Sequence, residues 1–294
     1  MIKNPRLMSI LEALLVTFLW SSSYVLVKIG LRGMSPLAFA AVRYSLAAVV
    51  VLGLSLTRHD RGAREKLGLQ GWLKLILAGA AGYAVAQGLQ FVGLNYLPAV
   101  TVTFLLNFTP LFVTVIGISF LDERPTSIQV AGMVVALAGA YLYFLTPISA
   151  SEVLGVVVVL VSGLGWAIYM IMIRGFQKKH TMSTSRLTAT TMSVGAIALL
   201  VSALTLEGVP TISLLGWAII VWLSLVNTAF AFYVWNHVLR KMKAFELSIL
   251  QNTMLVQIAV LAFFFLGEQL TINNVSGIIF VLVGVTLVQL QTRR

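Results

Sequence analysis

Residues 71–80, GWLKLILAGA, are answered 145 positions later by residues 216–225, GWAIIVWLSL. The register holds without a gap from 71–142 to 216–287 and contains eighteen identities. Among them are Gly71/Gly216, Trp72/Trp217, Ala99/Ala244, Asn107/Asn252, Glu123/Glu268, Thr126/Thr271, Gly132/Gly277 and Gly139/Gly284. Matches of Leu, Ala or Val come cheaply in an apolar chain, but paired Trp, Asn, Glu, Thr and Gly in one register do not. The chain therefore contains a duplicated unit.

What that unit is follows from its composition. Hydrophobic residues make up 59% of the 294 residues, charged residues only 10%, and the mean hydropathy is +0.98. Soluble domains carry roughly 25% charged residues, so the solvent for most of this chain is lipid. Crossing the hydrocarbon takes about 20 mostly apolar residues per helix. Ten such stretches are predicted: 8–29, 35–56, 72–94, 98–121, 128–145, 153–173, 184–205, 213–238, 245–266 and 274–290. Each must be helical, because hydrocarbon offers no water to backbone N–H and C=O groups and the alternation of a barrel strand is absent. Lys3 and Arg6 before an apolar run resemble a secretory signal, but the run continues to Ile29 without a cleavage site of small residues and reads as a retained first helix. The absence of cysteine removes disulfides and thiolate metal sites.

Basic residues mark one side of the membrane. Of 20 Lys and Arg, 17 fall at the amino terminus or after even-numbered spans; only Lys28 and Arg32 follow an odd-numbered one, and Arg43 lies inside the second. The net charge of +11 is thus a membrane-orientation signal and not a nucleic-acid footprint. By the positive-inside rule both termini face the cytoplasm, which requires an even number of spans. Five helices per copy is an odd number, so the second copy enters the membrane upside down. The expected fold class is all-α, a polytopic membrane protein of ten transmembrane helices arranged as two inverted five-helix repeats, residues 1–148 and 149–294. Two near-identical halves of opposite orientation can exchange conformations, opening the middle to one side and then the other.

WSSSY from Trp20 to Tyr24 ahead of Lys28 and Gly30, and a helix ending LDER before a Gly-bearing fifth helix, resemble the EamA branch of the drug/metabolite transporter superfamily. The second copy matches with Trp166 and Tyr169 ahead of Arg174 and Gly175, then NTAFAFYVW from Asn227 and LGEQL from Leu266. The resemblance covers essentially the whole chain. It implies a ten-helix carrier of small metabolites, several of whose relatives export amino acids, with a central cavity lined by helices one, three, four, six, eight and nine. Two features depart from the pattern. A proline midway along the fourth and ninth helices is Pro110 in the first copy but Leu255 in the second, so the halves should bend unequally. The membrane glutamate of the small four-helix exporters is here Trp20, which argues against expelling lipophilic cations through that carboxylate.

The candidate substrate-binding residues are Trp20, Tyr24, Arg43, Tyr83, Gln87, Asn107, Trp166, Tyr169, Asn227 and Asn252. Tyr83, Gln87 and Gln90 share one face of the third helix, and an amide in hydrocarbon must face protein or a wet cavity; interhelical glue is the plainer alternative. Asn107 and Asn252 occupy equivalent stations and are expected near the middle of the bundle, binding a polar group or each other. The sequon at Asn107 is discarded because mid-membrane is out of reach of glycosylation. Trp20 and Tyr24, with Trp166 and Tyr169 at nearly equivalent stations, suit an aromatic enclosure for a side chain or an ammonium group. Arg43 either attracts a substrate carboxylate or holds a carbonyl-rich helix end. Glu12 and Lys28 are expected to snorkel. Asp122, Glu123 and Glu268 should cap the start of the next helix or pair locally. Gly132, Ala136, Gly139 and Ala140, with Gly277 and Gly284, form small-residue seams for packing within the bundle or between two copies, so a monomer and a homodimer both stay open.

These residues favour a carrier of small amphipathic metabolites, amino acids above all, in a cell membrane, with a small-molecule substrate and lipid as partners and no nucleic acid. No cofactor or metal is expected. A phosphorylated-sugar or nucleotide-sugar exchanger would want more basic side chains at the cavity than Arg43 and Lys28, and a multidrug or amine exporter is a further alternative. An intramembrane enzyme would need a nucleophile with a base, or clustered ligands. His59, His180 and His237 fall in loops or at a helix end without helical His/Glu/Asp pairing, so enzymatic activity is not expected.

Overall fold

The computed structural model describes residues 5–57, 67–121, 126–145, 149–179, 182–242 and 244–290. It is 88% helical and has no strand among the described residues. The helices are α1 (Pro5–Gly30), α2 (Pro36–Thr57), α3 (Leu69–Gly79, Ala80–Val85 and Ala86–Tyr96), α4 (Ala99–Leu106 and Thr109–Leu121) and α5 (Ser127–Tyr143). The second half gives α6 (Ala150–Lys179), α7 (Thr184–Leu206), α8 (Leu214–Trp222, Leu223–Phe230 and Ala231–Lys241), α9 (Ala244–Leu266) and α10 (Ile272–Leu290). Among the described residues six are long and apolar enough to cross a membrane, and α4, α5, α9 and α10 are the shorter apolar ones. The protein is an all-α polytopic membrane protein. Helix ends fall within a few residues of the sequence expectation except in α6, which runs on to Lys179.

The repeat is visible in the packing. Helix α5 lies against α10, and α2 against α7; α3 packs on α6 as α8 packs on α1, and α4 on α6 as α9 on α1. At the α5/α10 contact a Cβ on Gly132 would lie 2.6 Å from the Gly284 carbonyl oxygen, and one on Gly139 would lie 2.8 Å from that of Gly277. Gly132 is the repeat counterpart of Gly277, and Gly139 of Gly284. The cross-pairing therefore means that equivalent helices run antiparallel, which is the inverted relationship. The seam glycines are consumed inside one copy of the chain.

Capping repeats the same symmetry. Thr126 and Gln129 form a reciprocal cap at the start of α5, with Gln129 Nε2 donating to the Val288 carbonyl at 3.3 Å. Thr271 and Asn274 do the same for α10, and Asn274 Nδ2 donates to the Tyr143 carbonyl at 3.3 Å. These bonds satisfy orphan amides and tie each fifth helix to the end of the other. Trp72 and Trp217 are both about half exposed at the starts of α3 and α8, helices that begin on opposite faces, as interfacial anchors of an inverted pair should be.

The proline asymmetry appears as a break. Helix α4 opens into a turn at Asn107 and Phe108 and restarts at Thr109 with Pro110 in its first turn, where a missing N–H is harmless. Helix α9, with Leu255, is continuous. Glu268 corrects the capping expectation: its carboxylate accepts from the Ala99 and Val100 amides at 2.8 and 3.2 Å, capping α4 and not the next helix. Glu207 holds the start of α2 likewise, through Leu37 and Ala38 at 3.1 and 2.8 Å. Each acid adjoins a left-handed glycine, Gly208 (φ 80°) or Gly267 (φ 70°), which turns the chain out of the preceding helix. Asp122, Glu123, His59 and His180 lie outside the described residues. Glu12 approaches Lys241 at 3.9 Å, joining α1 to α8 near the face where α1 begins and α10 ends, hereafter the terminal face.

Candidate functional site

The third helix of each half leaves regular α geometry at the same register. Ala80–Val85 in α3 and Leu223–Phe230 in α8 are π-helical, and a shift of 145 residues superposes them over 225–230. Such wide turns are frequent at functional sites. Here they carry Tyr83, Asn227 and Thr228 into the middle of the bundle, all fully buried. Small residues admit the rings: Gly82 touches Tyr169, and Gly195 touches Tyr83, so tightly that neither position has room for a Cβ.

Around them an aromatic cluster forms from both halves. Trp20 lies 5.2 Å from Phe232 and 4.9 Å from Trp235. Tyr83 meets Tyr169 at 5.6 Å and Phe232 at 5.5 Å, and Trp166 stacks on Tyr169 at 5.0 Å. The tilted and edge-on angles are those that aromatic quadrupoles favour. The hydroxyls of Tyr83 and Tyr169 lie 3.4 Å apart. Trp20, Tyr83, Trp166 and Tyr169 are thus brought together, with Phe232 bridging the α1 and α6 sides.

A polar margin adjoins the cluster. Arg43 is 3% exposed; its Nε donates to Thr228 Oγ1 at 2.8 Å, and its guanidinium lies 5.5 and 5.6 Å from the rings of Tyr44 and Phe91. It therefore meets a hydroxyl and two π-faces, not a carbonyl-rich helix end. Among the described residues no carboxylate pairs with it. The Tyr44 hydroxyl donates to Gln87 Oε1 at 2.7 Å. Tyr24 is buried on α1, its hydroxyl interacting with Thr103.

Two predicted residues, Asn107 and Asn227, have other local duties. Asn107 donates to the Thr103 carbonyl at 2.8 Å, stabilising the break in α4. Asn227 donates to the Leu19 carbonyl and, at 3.1 Å, to Ser22 Oγ, fastening α8 to α1. Asn252 is half-buried on α9. Two polar atoms of the site are buried without a partner among the described residues: the indole Nε1 of Trp20, a donor, and Oδ1 of Asn227, an acceptor.

Several contributors escaped sequence reasoning. Phe232 and Trp235 sat in a segment, NTAFAFYVW, whose side chains point several ways, and only the π-turn decides which of them turn inward. Thr17, Ser21, Thr253 and Gln257 form a polar link between α1 and α9, with Ser21 Oγ donating to Gln257 Oε1 at 2.8 Å. Their four-residue spacing on each helix was the available signal. A recess of about 440 Å³ opens on the face opposite the terminal face, the distal face, between the ends of α1, α3 and α9 and the start of α4. The cleft at the terminal-face ends of α2, α7 and α8 holds about 40 Å³.

Comparison with known proteins agrees with this architecture. The EamA-like transporter family matches twice, over residues 7–145 and 153–290. The uncharacterized transporter YoaV of Bacillus subtilis (strain 168) is 28% identical over 279 residues, covering 92% of each chain. An uncharacterized transporter of Archaeoglobus fulgidus is 26% identical over 280 residues, covering 93% of this chain and 94% of its own. An S-adenosylmethionine/S-adenosylhomocysteine transporter of Chlamydia trachomatis (serovar L2) is 28% identical over 138 residues, 47% of this chain and 41% of its own. One crystal structure shares the fold with a TM-score of 0.68 at 16% identity, covering 95% of this chain and 96% of that one. With both halves matched and every helix accounted for, the chain belongs to the EamA-like transporter family, a membrane transporter of a small-molecule substrate.

Proposed function

We propose that the protein exports small amphipathic metabolites, amino acids foremost, across the cytoplasmic membrane by alternating access. The observation that carries this reading is the cluster of Trp20, Tyr83, Trp166, Tyr169 and Phe232, built from both halves and bordered by unspent polar capacity. The Trp20 indole N–H, the Asn227 carbonyl oxygen and the Arg43 guanidinium offer a donor, an acceptor and a cation beside apolar rings. A neutral amino acid needs that set: a positive partner for its carboxylate, an acceptor or π-face for its ammonium, and an apolar wall for its side chain.

In this reading both termini are cytoplasmic, residues 1–148 and 149–294 are the units that move against each other, and one copy of the chain suffices. The binding residues are Trp20, Tyr24, Arg43, Tyr83, Gln87, Trp166, Tyr169 and Asn227, with Asn107 and Asn252 shaping α4 and α9 beside them. Counterflow of radiolabelled amino acids in proteoliposomes tests the reading. Wild-type protein should exchange neutral amino acids, and Trp20→Ala should exchange them at least several-fold more slowly while remaining folded. A second reading draws on the aromatic cluster and the partial Chlamydia relative: S-adenosylmethionine joins an amino-acid head to an aromatic base. Including it in the counterflow panel separates the two.

A further inference from the structure

The distal recess is lined in part by Lys28, Arg32, Leu94, Asn95, Pro98 and Glu268. Its charges are not equally available. Both oxygens of Glu268 are engaged by the amides of Ala99 and Val100, so its negative charge is directed at the positive end of α4. Lys28 is half-buried and, among the described residues, makes no hydrogen bond or ion pair; Glu268 acts on it only through space. Arg32 is exposed at the rim. The recess thus presents two cations around a carboxylate that is already occupied.

Two helix faces lead inward from it. On α1, Lys28, Tyr24 and Trp20 recur every four residues and share a face. On α3, Leu94, Phe91, Gln87 and Tyr83 descend at spacings of three and four. Arg43 lies against Phe91 on this descent and within electrostatic range of Tyr24. A cation at the mouth is therefore followed by a second at the inner end, and among the described residues no carboxylate is bonded to either. Such cations in a membrane bundle are expensive to keep and mark pathways.

We propose that the distal recess is a second binding station, which takes the carboxylate of the cargo on Lys28 and Arg32 as it passes between Arg43 and the outer solution. This rests on the carrier reading above and adds a requirement: the cargo carries a carboxylate, and the outer station reads that charge and not the ammonium. A lipid phosphate offers similar charge but is tethered to the bilayer and could not continue to Arg43.

Calorimetric titration of the full chain in phosphatidylcholine nanodiscs tests the proposal with three probes of similar size. These are isocaproate, with a carboxylate alone; L-leucine, with both charges; and isopentylamine, with an ammonium alone. Isocaproate and leucine should bind and isopentylamine should not. Lys28→Gln should weaken isocaproate binding by about ten- to hundredfold, the worth of hydrogen bonds to a charged group. Lys28→Arg should restore most of it, which separates charge recognition from damage to the fold. Absent isocaproate binding, equal binding by wild type and Lys28→Gln, or isopentylamine binding as tightly as isocaproate overturns the proposal. So does competitive loss of isocaproate binding when phosphatidylglycerol is added to the disc, which would make the recess a lipid headgroup site. Amino-acid counterflow reads the carrier function separately: flux with Lys28-independent isocaproate binding removes the station and leaves the carrier, and Lys28-dependent binding without flux does the reverse.

Discussion

Arg43 and Thr228 meet across the boundary between the two halves, with the arginine Nε donating to the threonine hydroxyl at 2.8 Å. The joint is reinforced by Ser224, whose hydroxyl donates to the Arg43 carbonyl at 2.9 Å. Thr228 occupies the register position of Tyr83, so the residue that supplies a ring in the first half supplies a hydroxyl in the second. The scaffold is symmetric while the site it holds is not.

Removing the hydroxyl should therefore be felt locally. Thr228→Val keeps the shape and leaves a buried charged donor unmet, at about 1–3 kcal/mol. The expected outcome is a lower thermal midpoint in detergent together with reduced flux. Arg43→Lys should also fail to restore full flux, because an ammonium cannot donate from the Nε position and lie flat on Tyr44 and Phe91 as a guanidinium does.

The glycine crossing of α5 and α10 makes a prediction about stability and not transport. Gly139→Ala places a methyl 2.8 Å from the Gly277 carbonyl oxygen, and Gly277→Ala places one 2.7 Å from that of Gly139. Each should destabilise by roughly 1–3 kcal/mol through overpacking. Thermal unfolding should show similar losses for these two variants, since they press on the same crossing from opposite sides.

Glu268 and Glu207 should behave as helix caps. Glu268→Ala and Glu207→Ala each strip the N-terminal amides of α4 or α2 of their acceptor, with an expected cost of about 1 kcal/mol. Glu268→Gln should recover part of that, because an amide oxygen still accepts but carries no charge. Unfolding midpoints of the purified variants check the order Ala below Gln below wild type.

Much of this architecture was legible in the sequence, for physical reasons. Lipid admits only satisfied backbone, so apolar length alone located the helices, and the Gly132/Gly277 and Gly139/Gly284 matches foretold a close seam. The charge count turned duplication into inversion, and the antiparallel glycine crossing embodies it. The site was less legible. Trp20, Tyr83, Trp166 and Tyr169 could be named because they recur or align on a face, whereas Phe232 and Trp235 turn inward by a π-helical turn that the 3.6-residue period does not describe. Glu268 was read as a local cap because its helix-capping contact is with α4, 168 positions away in the chain from Val100. Asn107 looked like a cavity residue, and its amide instead serves the break that Pro110 imposes.

The orientation has its own check. The chain contains no cysteine, so Tyr96→Cys at the distal face introduces a single thiol at an exposed position. An impermeant maleimide added to intact cells should label it, and labelling only after lysis would place the termini outside.

The most direct measurement of the central claim is amino-acid counterflow in proteoliposomes, comparing wild type with Trp20→Ala and Trp166→Ala at matched amounts of folded protein. The account predicts saturable exchange of neutral amino acids by wild type and a loss of about tenfold or more in each variant, the scale of one strong site contact. Absence of exchange for every amino acid, or exchange indifferent to both tryptophans, would contradict it.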